Sequence, residues 1–156
     1  MSNFDGLAEG NAIIARLQLN LVGGRVYELY PDDAEIVLSP DGTTIKPFIV
    51  VRIGTPVRVM ADRTIMGERA QPHRMPVTVL SVAPTVEIAR VLNAAVANWL
   101  MEWRPTTNAS PIIFDGGGLL PSLDRQSKPS RSEAISYMST VVGMQRDPSD
   151  AIPTGA

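Results

Sequence analysis

Apolar residues recur along the chain with two different periods, and the switches between them divide it into elements. Ile14, Leu17 and Leu21, with Ile13 beside them, return at three- and four-residue spacing and predict a helix over 11–21. Gly23 and Gly24 stop it. The run from Arg25 to Leu29 contains Val26 and Tyr27 and reads as an edge strand; turns follow at Pro31, Asp32 and Asp33, and again at Pro40, Asp41 and Gly42.

From Phe48 to Ile53 the period is two. Ile49, Val51 and Ile53 point one way and Phe48, Val50 and Arg52 the other, so both faces are largely apolar and the strand is central. After Gly54, Thr55 to Met60 reads as a half-exposed strand. Met75 to Val82 is again rich in β-formers. Between these lies a polar stretch, Ala61 to Arg74, with Asp62, Arg63, Glu68, Arg69 and His73 around Ile65 and Met66. It reads either as the arm of a long hairpin extending beyond the body of the domain or as an ordinary surface loop; structureless loops this long are uncommon in compact domains.

Thr85 to Trp103 is the clearest helix. Thr85 is placed as its N-cap, and Glu87 in the first turn favours the positive end of the helix dipole. Ala89, Leu92, Val96, Trp99, Leu100 and Trp103 form one stripe, and Pro105 ends the helix at Arg104. Trp99 and Trp103 read as anchors of that helix on a sheet, with nucleotide stacking as the alternative. Pro111 to Phe114 is a short strand running into Asp115, Gly116, Gly117 and Gly118, and Pro121 to Arg131 is a loop. Glu133 to Met144 is the last strand, with Ile135, Tyr137 and Val141 on one face and Met138, Val142 and Met144 on the other. Arg146 to Ala156 has no periodicity. The reading is one domain over 1–145 and a flexible tail over 146–156.

Grouped strands with few crossover helices predict an α+β fold: a largely antiparallel or mixed β-sheet, two main helices packed on one face, and a projecting β-hairpin arm. A parallel nucleotide-binding sheet needs more crossover helices than this order supplies.

Composition narrows the chemistry. The 156 residues are 44% apolar and 19% charged, which is a globular balance, with a net charge of −2. A chain gripping nucleic acid through phosphates normally carries a basic excess. Cysteine is absent, which removes disulfides and thiolate chemistry, and His73 is the only histidine. Met1 to Gly10 has no apolar run of the secretory kind, and no stretch approaches the ~20 apolar residues of a membrane span, so the expectation is a soluble protein made in a cytoplasm and not placed in a membrane.

No constellation advertises catalysis. The run from Asp115 to Gly118 lacks the Lys and Ser or Thr of a phosphate-binding loop and reads as a flexible turn. Asp32, Asp33 and Glu35 offer oxygens to a divalent ion but read as a solvated acidic turn. His73 among Arg69, Pro72 and Arg74 reads as a surface residue, so the chain is not expected to be an enzyme and no cofactor is assigned. The arginines at 58, 63, 69 and 74 suit ion pairing between subunits better than DNA binding, because Asp62 and Glu68 interrupt them. Contacts with another subunit or a partner are assigned to Arg63, Ile65, Met66, Arg69 and Arg74.

The order of these elements resembles the tail terminator proteins of long-tailed bacteriophages, the family related to minor tail protein U of lambda-like phages. The likeness covers about residues 11–145. It rests on the opening helix with Ile14, Arg16 and Leu17, then Val26 and Tyr27, the strand from Pro47 to Arg52, the polar arm, Val77 to Val82 running into Pro84 and Thr85, the helix reaching Trp103, Arg104 and Pro105, and the strand around Tyr137. The resemblance implies a structural virion protein assembling as a homo-hexameric ring at the tail-neck junction, in the host cytoplasm. It would cap the head-proximal end of the tail tube, stop its polymerisation and present a surface for head-tail joining. It implies as partners the tail tube protein and a neck or head-completion connector. Genomic DNA would pass through the lumen without sequence-specific binding, which a weakly acidic chain suits. Another neck or head-completion connector, and then a small hydrolase, are the competing readings; a divalent-ion effect on assembly is left open.

Overall fold

The structure is a computed structural model and describes residues 6–58, 72–116, 122–124 and 129–143. The elements run α1 (Leu7–Asn20), β1 (Val26–Tyr27), β2 (Phe48–Ile53), β3 (Val57–Arg58), β4 (His73–Ala83), α2 (Val86–Leu100), β5 (Ile113–Gly116), β6 (Ser122–Asp124) and β7 (Arg131–Val142). One mixed sheet has the order β1-β2-β4-β7-β5, with β3 on β4 and β6 on β7. β1 lies parallel to β2, and every other strand pairing is antiparallel. The expected α+β class is the observed one.

Two long strands form the middle. β4 and β7 pair over eleven positions, from His73 opposite Val142 to Ala83 opposite Ser132. Their outer edges are each covered by two shorter pieces in series, β2 then β3 along β4, and β5 and β6 along β7.

Alternation sorts the side chains by face. Ile49, Val51, Met75, Val77, Val79, Met138 and Val142 meet Ile13 and Leu17 of α1 and Leu92, Val96 and Leu100 of α2 in the main core. On the opposite face Phe48, Val50 and Val82 meet Ile36 and Ile45 from the loop between β1 and β2. Tyr27 and Tyr30 both stand edge-on to Phe48, at 5.7 Å between ring centroids. The helices therefore lie on one face, and the 28–47 loop closes part of the other.

The join between β2 and β3 shows how tightly the edges are built. From Ile53 to Val57 the chain takes four steps while β4 takes three from Val77 to Arg74, so β2-β3 carries one extra residue. Gly54 sits in that bulge and donates its N–H to the Pro76 carbonyl at 2.8 Å. In a strand the N–H and C=O of one residue point to the same side, so the donor missing from Pro76 falls on the bulge and leaves the β7 ladder intact. A Cβ on Gly54 would come within 2.4 Å of Pro76 Cγ, a ring carbon that cannot swing aside.

Several boundaries differ from expectation, each for a physical reason. α1 begins at Leu7, a turn before the predicted start, and Ile13 rather than Ile14 leads its buried stripe. Gly10 hides that first turn from propensity reasoning, yet its bare backbone lets the helix approach β2, where a Cβ would be 3.2 Å from Ile53 Cδ1. α2 starts as predicted, with the Thr85 hydroxyl accepting from the Ile88 N–H. It ends at Leu100, short of Trp103, because Met101 bridges Ile112 and Glu102 donates to the Ile112 carbonyl at 2.9 Å. Trp103 therefore lies outside the helix, and Pro105 is not what stops it. β6 occupies part of the predicted 121–131 loop, and Asp115 and Gly116 belong to β5 rather than to a turn.

Only the base of the expected hairpin arm is described: Val57 pairs with Arg74 and Arg58 with His73. The arm itself, and the predicted tail over 146–156, lie outside the described residues. Gly54→Ala is predicted to destabilise the fold by about 1–3 kcal/mol through overpacking against Pro76, read as a lowered urea midpoint at unchanged slope.

Candidate interaction surface

Of the residues assigned to subunit contacts, Arg63, Ile65, Met66 and Arg69 lie outside the described residues. Arg74 is described. It projects from β4 on the face opposite the helices and reaches across β7 to Asp115 of β5, with Nη1 at 3.9 Å from Oδ1. Both side chains remain partly exposed, so this pair is worth less than about 1 kcal/mol and leaves Arg74 able to meet another surface. His73 sits within the ladder, opposite Arg58 and Val142.

The acidic turn has a structural task that its sequence does not announce. Asp33 accepts a 2.9 Å hydrogen bond from Arg131 Nη2, and Arg131 is only 4% exposed. Arg131 Nη1 also donates to the Tyr30 hydroxyl at 3.3 Å, and Tyr30 in turn donates to Glu133 Oε1 at 3.0 Å. Three charged groups and a phenol thus fasten the 28–47 loop to the start of β7. The acidic turn is solvent-exposed, as the sequence suggested, with the Asp33 side chain 82% exposed, and it also holds the buried Arg131. Burial pushes the Tyr30 hydroxyl above its usual range; the bond from Arg131 opposes this and the nearby Glu133 carboxylate adds to it. Among the described residues no group of three or more His, Cys, Asp or Glu side chains could hold a metal ion.

On the helix side, Arg16 lies over the Trp103 ring with its guanidinium carbon 4.6 Å from the centroid, and its Nε donates to the Trp99 carbonyl. Both tryptophans pack at the edge of the main core, where they join α1 to α2 and the chain beyond it. They are half-buried anchors, as one of the two sequence readings had it, but between helices more than on the sheet.

What remains uncovered is apolar in an unusual place. The inner face of α2 is buried through Ala89, Leu92, Val96 and Leu100, while Ile88 and Val91 on the helix, and Met101 just beyond it, are exposed. No charged residue occurs from Val91 to Met101. Next to this surface, Leu19 and Val22 at the end of α1 are also exposed. A second exposed set, Leu29, Val37 and Leu38, lies on the loop across the sheet, and a third, Ile113, Phe114 and Tyr137, on β5 and β7. The sequence reading assigned contacts to the arm and did not single out these exposed apolar residues; for α2 the available signal was the absence of charge from Val91 onward.

The fold and these surfaces define an α+β domain suited to contact with other protein surfaces. No family model and no curated protein matches the chain. Among solved structures, a chain from the virion of a native gene transfer agent (GTA) particle is similar, with 18% identity over 88% of this chain and 95% of that chain, at a TM-score of 0.48. A likeness at that level identifies neither activity nor partner.

The raised Tyr30 hydroxyl has a defined consequence for stability. A group whose folded pKa lies above its unfolded value near 10 contributes stability that is whole below pH 10 and is lost as pH rises through the folded value. Urea unfolding from pH 8 to 11 should therefore show a steeper loss above pH 10 in the native sequence than in Tyr30→Phe; parallel profiles would contradict the burial of that hydroxyl.

Proposed function

We infer that this chain is a structural virion protein that caps the head-proximal end of a phage tail tube as a ring, ending tube growth and offering a surface for head-tail joining. The observation that carries the assembly part of this reading is the side of α2 turned toward the end of α1, where Ile88 and Val91 stand exposed next to Val22 and line one groove. Exposed apolar side chains gathered in a groove mark a surface that another protein covers, and among the described residues nothing covers this one. The order of elements supports the tail-terminator assignment through its resemblance to that family, and hexameric order comes from the same resemblance.

In this reading residues 1–145 act as one ring subunit and 146–156 as a segment available to a partner. Arg63, Ile65, Met66, Arg69 and Arg74 on the arm contact the neighbouring subunit or the tube. A subunit with two different faces closes into a ring through head-to-tail contacts and ends a stack, so capping follows from geometry without catalysis or a cofactor. A neck or head-completion connector shares this logic and differs in its partner.

The native mass across a concentration series, with and without magnesium, tests self-assembly directly. A species near six times the 16.8 kDa chain is expected. Binding to purified portals and not to tail tubes would shift the assignment to the connector, and a strict monomer in every condition would contradict ring formation in free solution.

A further inference from the structure

The end of α1 and the outer face of α2 enclose a groove of about 440 Å3 whose lining includes Val22, Pro47, Ile88, Val91, Trp99 and Arg25. Val22 and Val91 are 86% and 69% exposed, so its walls meet water in the single chain. Arg25 lines the groove and is held there by its Nε bond to the Pro47 carbonyl at 2.9 Å.

The loop across the sheet is its chemical complement. From Glu28 to Ile45 it carries five carboxylates and no Lys or Arg. Glu28, Asp32, Glu35 and Asp41 are exposed, and so are the apolar side chains Leu29, Val37 and Leu38, with Leu29 at 82%. An acidic surface with apolar projections thus matches an apolar groove with Arg25 in its wall.

The body of this loop is turned away from the groove. Ile49 and Val51 face the helices, whereas Phe48 and Val50 on the same strand carry Ile36 and Ile45, so the middle of the loop lies across the sheet, while its ends reach the sheet edge, with Glu28 beside Gly10 and Ile14 of α1 and Pro47 in the groove wall. The geometry points to a second copy of this chain as the occupant of the groove: the 28–45 loop of one subunit seats Leu29 and Leu38 against Ile88 and Val91 of the next, its carboxylates facing Arg25. The contact is heterologous, because each surface meets a different one, and it repeats from copy to copy until it closes. This inference rests on the ring reading and gives it a named contact, separate from the arm.

Val91→Asp spoils the groove and Leu29→Asp spoils the loop. Both positions are exposed, so each variant should keep the circular dichroism spectrum and melting behaviour of the parent. Adding acid to both surfaces also rules out rescue by charge exchange. By analytical ultracentrifugation the parent should assemble, each variant alone should be monomeric, and an equimolar mixture should stop at a heterodimer, since it holds one intact groove facing one intact loop. A variant that assembles like the parent overturns the proposed contact while leaving the ring reading intact. Dimers of Leu29→Asp alone would show the groove pairing with itself, and a mixture that stays monomeric would show that groove and loop do not meet; either result overturns the proposal. A parent that is monomeric at every concentration overturns it too, and the effect of this protein on tail-tube growth then judges the ring reading separately.

Discussion

The pairing of β4 with β7 is the interaction on which the rest of the molecule depends. Their eleven-position ladder is the one continuous span of the sheet, and everything else is fitted to its two edges in shorter pieces. Antiparallel strands of this length need no crossover helix, so both helices are free to lie on one face and bury it. The irregularities fall where they do the ladder least harm. Pro76, which lacks a donor, turns that defect toward the bulge at Gly54, and the β5 irregularity between Phe114 and Gly116 lies on the far edge of β7.

The two faces of the ladder are finished by different means. The helix face is closed by aliphatic packing, with small residues where α2 sits on the sheet: Ser136 donates to Asn93 at 2.6 Å, and Ala134 and Ala89 are fully or nearly fully buried nearby. The opposite face is closed only in part, by Phe48 with its two edge-on tyrosines and by the polar clasp of Asp33, Arg131, Tyr30 and Glu133. A buried guanidinium is costly unless its partners are in place, so the clasp sets where the acidic loop lies more than it adds stability. The same clasp anchors the loop that carries the exposed Leu29, Val37 and Leu38.

The parts of the fold legible in the sequence were those decided locally. The alternation from Phe48 to Ile53 and the Thr85 cap express side chains a few residues apart and appear in the structure as read; so do the faces of the last strand through Val142, although that strand begins at Arg131 rather than Glu133 and Met144 lies outside the described residues. The parts that were not legible depend on distant partners. α2 stops at Leu100 because Met101 meets Ile112, and β6 forms in a polar segment because β7 offers it a free edge. Asp33 finds Arg131 across 98 residues of sequence. Of the arm residues assigned to contacts, Arg63, Ile65, Met66 and Arg69 lie outside the described residues; the exposed Ile88 and Val91 of α2 were not legible because the apolar stripe of a helix shows which side is buried and not what stands uncovered beside it.

A chain built in this way offers surfaces to other proteins, with its apolar helix exposed on one side and an acidic loop fixed on the other. In the cap reading those surfaces are used laterally, between neighbours in a ring, which leaves the two rims for the tube and the neck. The most direct measurement is electron microscopy of purified tail tubes incubated with this protein and then supplied with fresh tube subunits. The account predicts one ring of density at a single end of each tube and no growth beyond it. Tubes that elongate from both ends with no density at either would contradict it.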